Sequence, residues 1–214
     1  MQHISAAGPV GQTDLVVVPR GPRPSPRAWT TLLASLPLTE QQRIGAVFRH
    51  VGQQDSAMGW SLLMRLAAQH HVSLRRNPAG RPVADPPVDL SLSHGGGWIA
   101  AAASRRGRIG VDVEGVREVT PALARRCLST AELSWLERAT GAAARQERFL
   151  HLWTAKEAYV KAIGTGLGTD PRTFTVDCSG PTPRLVGPEE SRWDFRSSAP
   201  AEAVRVTVCQ ERVP

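Results

Sequence analysis

The sequence predicts an α+β protein built as two similar lobes in one chain. Three observations predict it. At 214 residues the chain can bury one good core or two small ones. Each half reads as helices plus short, mainly antiparallel strands. A stretch with four prolines and a glycine, Asn77 to Pro87, punctuates the first half as an extended connector. No tandem repeat accompanies the likeness of layout, and the division falls near residue 105, giving lobes 1–105 and 106–214.

Taken in order, Leu15-Val-Val-Val18 reads as a buried strand, and Gly21 to Pro26 as a proline-rich loop. Helical stretches follow at about 27–36, at 39–50 with Thr39 as N-cap, and at 55–70 with Asp55 as the starting residue. After the connector come three strands, 88–92, 98–104 and 108–114, the last two joined by Arg105-Arg106-Gly107 as a hairpin. In the second half Pro121 opens a helix, and Ser129 or Thr130 caps another that ends near Gly141. A long helix runs from about Ala142 to Ile163 and stops at Gly164. The tail carries strands near 173–177, 192–197 and 203–209.

Composition narrows the function. No window holds the roughly 18 consecutive apolar residues of a membrane span, and the first residues, Met1 to Gly8, lack the pattern of a signal peptide. A cytoplasmic protein is expected. Cys127, Cys178 and Cys209 are scattered and odd in number, which argues for buried free thiols and against disulfides or zinc. The net charge of +7 asks for an anionic partner: nucleic acid, a phosphate-rich cofactor or an acidic protein. The arginines are dispersed, and no nucleic-acid-binding motif is present. An arginine-biased genome would give the same composition without any partner.

Of 26 basic residues only two are lysine, Lys156 and Lys161, in Trp153-Thr-Ala-Lys-Glu-Ala-Tyr-Val-Lys161. A compact ammonium suits phosphate contacts where a planar guanidinium does not fit. Trp153, Glu157 and Lys161 share one helical stripe, although a Glu157–Lys161 pair could equally be an exposed helix-surface ion pair. Upstream, Asp112 and Glu114 lie two apart in Ile109-Gly-Val-Asp-Val-Glu114, so both face one side of a strand. Either a cation separates them, with oxygen ligands favouring Mg²⁺ or Mn²⁺, or the strand has a solvated polar face. Ser93 and His94 stand at a strand end beside Gly95-Gly-Gly97, a turn whose amides could meet an anion. Gly80-Arg81-Pro82 offers one guanidinium.

In order, Gly80-Arg81-Pro82, Leu92-Ser93-His94, Gly110-Val-Asp112-Val-Glu114, Trp153-Thr-Ala-Lys156-Glu157-Ala-Tyr-Val-Lys161 and Gly164-Thr-Gly166-Leu167 resemble the Sfp-type 4′-phosphopantetheinyl transferases. The likeness covers roughly residues 77–177. It implies a pseudo-dimer of two α+β lobes with the active site in the cleft between them. It implies transfer of the phosphopantetheine arm of coenzyme A to a carrier-protein serine, with 3′,5′-adenosine bisphosphate as the other product. Asp112, Glu114 and Glu157 are then expected to surround Mg²⁺ (or Mn²⁺), with Glu157 as base. Lys156 and Lys161 are expected near the diphosphate, Arg81, Ser93 and His94 at the phosphates of coenzyme A, and Glu132 near the site. The implied partners are acidic acyl or peptidyl carrier proteins, with no nucleic acid, no membrane and a monomeric chain.

The chain departs from that pattern in two places. The basic residues the family usually carries in its N-terminal helical segment are missing from Gln53 to Trp60, with Arg43 and Arg49 nearby. Gly95 stands where a serine often completes Ser-His-Ser. Three rivals remain: a charge-driven nucleic-acid binder, a relative that binds coenzyme A without transfer, and a metal-dependent phosphohydrolase.

Overall fold

The computed structural model describes residues 13–213, apart from 48, 79, 116, 117, 203 and the side chain of Leu167. The N-terminal stretch read as lacking a signal peptide lies outside them. Among the described residues no helix is long and apolar enough to cross a membrane.

The first half holds β1 (Thr13–Pro19), α1 (Pro26–Ala34), α2 (Leu38–Gly45), α3 (His50–Gln69), β2 (Leu74–Arg76), β3 (Pro82–Ala84), β4 (Asp89–Gly95) and β5 (Trp98–Ser104). The second holds β6 (Ile109–Gly115), α4 (Pro121–Cys127), α5 (Thr130–Glu137), α6 (Ala142–Ile163), β7 (Thr175–Asp177), β8 (Arg184–Val186), β9 (Trp193–Ala201) and β10 (Val204–Glu211). Two antiparallel three-stranded sheets dominate, ordered β1-β5-β4 and β6-β10-β9. The α+β class and its two-sheet layout follow directly.

The hairpin expected at Arg105-Arg106-Gly107 does not form. Both edges of β5 are already paired, to β1 and to β4, so β6 has no edge to join and pairs with β10 instead. The tight hairpin is β4–β5, closed by Gly96 and Gly97 with φ of 56° and 81°. Two successive positive φ values suit a two-residue turn that only glycine enters cheaply. The glycine run therefore closes a hairpin, and the Gly97 carbonyl accepts from the Arg20 amide.

Helix starts also differ from expectation. α2 begins at Leu38, after Pro37, and α3 begins at His50, five residues before Asp55. Asp55 is not a cap but a buried residue inside α3, where it pairs with Arg20 at 3.2 Å. In contrast, α6 occupies the expected span and ends on Gly164 in the left-handed conformation, φ 76°.

The core has three layers of contact. α3 covers one face of the first sheet through Trp60, Leu63 and Leu66 against Ile99, Ala101 and Ala103. The other face, with Val17, Ala100 and Ala102, packs on Val111, Val113, Val206 and Val208 of the second sheet. α6 covers the far side of that sheet through Phe149, Leu152, Ala155, Ala158 and Ala162. The period of two in β6 thus sends Ile109, Val111 and Val113 to one side and Gly110, Asp112 and Glu114 to the other. At Gly110 a β-carbon would collide with the Ala158 carbonyl oxygen and come within 2.5 Å of the Ala162 amide nitrogen. Glycine is needed there so that α6 can lie directly on β6. Gly110→Ala should destabilise the protein by roughly 3 kcal/mol or more, since backbone must move to admit the methyl. Urea unfolding will measure it.

α6 also carries a pH-sensitive group. His151 Nε2 is buried without a hydrogen-bond partner. Burial and the neighbouring Arg205 guanidinium push its pKa down from 6.5 to about 4. The folded state then binds fewer protons than the unfolded chain between those values, so stability is lost as pH falls from 6.5 and levels off below 4. Allowing for partial solvent screening, the loss is about 2 kcal/mol. His151→Gln should flatten that slope in unfolding experiments between those pH limits.

Candidate active site

The site forms where the two sheets meet edge to edge. β4 and β6 are outer strands of different sheets, and side chains of β4 bridge them. Asp89 Oδ2 accepts from the Ile109 amide at 2.9 Å, and Ser91 Oγ accepts from the Val111 amide at 2.9 Å. The third alternate residue, Ser93, donates its hydroxyl to Asp112 Oδ1 at 2.7 Å. Alternation along β4 therefore aims three polar groups at β6, and the last meets a carboxylate rather than backbone. Beyond it, Gly95 leaves room for Glu114: a β-carbon there would sit 2.7 Å from Glu114 Oε2.

α6 supplies the opposite wall. Lys161 Nζ donates to Asp112 Oδ1 at 2.6 Å and to Ser93 Oγ at 2.8 Å. Its side chain is 27% exposed, whereas that of Asp112 is 5% exposed. Asp112 is thus no member of a solvated polar face: its Oδ1 receives two donors, and its Oδ2 is buried with no hydrogen-bond partner. A buried acceptor of this kind calls for a donor or a cation. Glu157 is half-buried one turn before Lys161 on α6.

Among the described residues no group of three or more His, Cys, Asp or Glu side chains is assembled to hold a metal ion. The expected Asp112, Glu114 and Glu157 centre is accordingly not drawn together in this conformation. The charge of Asp112 is met by the Lys161 ammonium instead, 2.6 Å from its Oδ1.

Lys156 is placed differently from the expectation at the diphosphate. It is completely buried, and its three ammonium hydrogens are matched by Glu132 Oε1 at 2.6 Å, Glu132 Oε2 at 2.7 Å and the Phe174 carbonyl at 2.8 Å. Burial pushes its pKa down, and the Glu132 carboxylate opposes that shift. Glu132 closes a capping box with Ser129 at the start of α5 and accepts the Val176 amide at 2.7 Å. This pair locks α5, α6 and β7 together and has no donor to spare for a ligand. The box was legible in Ser129-x-x-Glu132, but its link to Lys156 was not.

Arg81 reaches the end of α6 rather than an open cleft. Its Nη1 donates to the Lys161 carbonyl at 2.8 Å, and its Nη2 lies 3.3 Å from Asp89. It fixes the backbone of Lys161 from the other half of the chain. His94 is the exposed member of the set, with Nδ1 3.8 Å from Asp55. The Arg20–Asp55–His94 chain is not visible in the sequence, where Asp55 reads as the start of a helix. All three cysteines are buried thiols.

The family model described as the 4′-phosphopantetheinyl transferase superfamily matches residues 108–209, which span β6 through most of β10 and include Asp112, Glu114, Glu132, Glu157 and both lysines. The chain is 28% identical over 141 residues to the 4′-phosphopantetheinyl transferase gsp of Aneurinibacillus migulanus, covering 62% of this chain and 59% of that one. It is 32% identical over 91 residues to the 4′-phosphopantetheinyl transferase Sfp of Bacillus subtilis strain 168, covering 42% and 40%. It is 24% identical over 206 residues to the L-aminoadipate-semialdehyde dehydrogenase-phosphopantetheinyl transferase of Rattus norvegicus, covering 82% and 67%. The chain is thus similar to 4′-phosphopantetheinyl transferases, those of Sfp type among them. The matched region spans about three fifths of the gsp transferase, at 59% of its length.

Proposed function

We propose that the protein transfers the 4′-phosphopantetheine arm of coenzyme A to a serine of an apo acyl or peptidyl carrier protein and releases 3′,5′-adenosine bisphosphate. The carriers would serve fatty-acid, polyketide or nonribosomal-peptide synthases, in the cytoplasm, with a monomer whose halves 1–105 and 106–214 flank the cleft. One observation carries the reading. Asp112, on the strand the family model covers, shares Oδ1 with Lys161 and Ser93 while Oδ2 is buried without a donor.

The residues fit a divalent cation. An orphaned carboxylate oxygen, a second carboxylate two residues on and a third on α6 are hard oxygen donors suited to Mg²⁺, with Mn²⁺ an alternative. Asp112, Glu114 and Glu157 would hold it. Such a cation, when bound, offsets charge on the phosphates and on the departing oxygen. The chain's own groups do the rest. Lys161 places an ammonium beside Asp112, where it can follow the charge that builds on the leaving phosphate. Ser93 orients both, and Arg81 holds the α6 end in place. The carrier serine oxygen bonds to the phosphopantetheine phosphorus as the bond to the adenosine bisphosphate oxygen breaks. Its proton passes to the Glu157 carboxylate. The basic surplus of +7 favours encounter with acidic carriers.

The test is intact-mass spectrometry of several apo carrier proteins incubated with the protein, coenzyme A and Mg²⁺, with and without EDTA. A gain of one phosphopantetheine arm, lost with EDTA, is expected. Free phosphopantetheine without carrier modification would mark a hydrolase. Binding of coenzyme A with no transfer to any carrier would mark an inactive relative.

A further inference from the structure

We propose that Lys161 acts as an internal counter-ion that keeps the Asp112 site closed to divalent cations until a diphosphate ester draws it away. Cation and coenzyme A then bind cooperatively, with Lys161 as the coupling residue. The inference rests on the transferase reading above.

The geometry has one mobile part. Asp112 is walled in, with its side chain 5% exposed, and cannot turn outward to meet an ion. The backbone of Lys161 is held as well. Its carbonyl accepts from Arg81 at 2.8 Å and from the Gly164 amide at 3.2 Å, and α6 rests on Gly110. The Lys161 side chain, by contrast, borders solvent, at 27% exposure, on a flexible stem.

While its ammonium sits 2.6 Å from Asp112 Oδ1 and 2.8 Å from Ser93 Oγ, a divalent cation on the same carboxylate would meet a like charge in a poorly solvated place. Two anionic phosphates arriving together offer the ammonium an alternative partner as compact as itself. Its departure leaves Oδ1 with the Ser93 hydroxyl alone and opens it, beside the orphaned Oδ2, to a cation. By linkage, each ligand then tightens the other by the same factor.

The test titrates Mn²⁺ into the full chain and follows the free ion by electron paramagnetic resonance, with and without coenzyme A. Wild type should bind Mn²⁺ at least about tenfold more tightly with coenzyme A present. Lys161→Met should bind Mn²⁺ alone at least about fivefold more tightly than wild type does, because the competing charge is gone. Equal or weaker binding by Lys161→Met, with Asp112→Asn still abolishing binding, would overturn the counter-ion role and leave the transferase reading standing. Mn²⁺ binding untouched by Asp112→Asn would overturn both.

A measurement on wild type removes dependence on the variant's folding. The two lysines give two sets of ε-methylene signals in protein labelled with ¹³C-lysine. Coenzyme A without metal should shift the Lys161 signals and leave those of buried Lys156 in place. No shift at Lys161 would also overturn the proposal.

Discussion

Asp112→Asn will lower transfer to a carrier protein by at least about a thousandfold while the chain stays folded. Asparagine keeps the shape of the side chain, and its oxygen can still accept from Ser93 and Lys161 as Asp112 Oδ1 does, at 2.7 and 2.6 Å. What it loses is the charge, together with the acceptor at the buried Oδ2, where an amide group would now point hydrogens into the same space. Leaving that amide unmatched costs about 2 kcal/mol, or fewer than about 8 °C in Tm for a chain of this size. The comparison to make is kcat/KM from the mass assay beside Tm from calorimetry. A variant retaining more than about a tenth of wild-type turnover would move the chemistry away from β6, since an effect that small lies far below the cost of losing a charged group from a reacting centre.

How much of this was legible depends on whether the determinant is local. α6 was read correctly from end to end because its stop signal, Gly164, is a residue property: a left-handed φ of 76° that glycine accepts. The acidic face of β6 was legible for the same reason, since strand alternation needs no knowledge of the partner. The start of α3 was misread because Asp55 has the chemistry of a cap, yet its carboxylate is taken by Arg20, 35 residues away in sequence. The β5–β6 hairpin was misread because pairing is a competition for edges, and β6 found its partner in β10, where Asp112 faces Thr207. The three carboxylates were singled out by type and spacing alone. That an ammonium from α6 stands against the first of them depends on how closely that helix lies on Gly110.

The two lysines make the sharpest contrast between sequence and structure, and Lys156→Met provides the second large effect. Both looked like phosphate contacts because the chain otherwise uses arginine, but only Lys161 borders solvent. Lys156 is sealed against Glu132, and removing its ammonium strands a carboxylate that is itself 1% exposed. An uncompensated buried charge of this kind costs about 3–5 kcal/mol, which for a chain of this length lowers Tm by roughly 10 °C. Glu132 keeps its bonds from the Ser129 and Val176 amides, at 2.7 Å each, so the loss is of charge balance more than of local structure. Adding Glu132→Gln to Lys156→Met should therefore restore part of the stability, because the stranded charge is gone, although the amide can accept from only one of the Ser129 and Val176 N–H groups. Coenzyme A affinity separates the two accounts. A residue that locks α6 to α5 and β7 changes Tm strongly and leaves the Kd of coenzyme A nearly unchanged in the double variant. A residue that holds the diphosphate would weaken that Kd in both variants and leave Tm where it was.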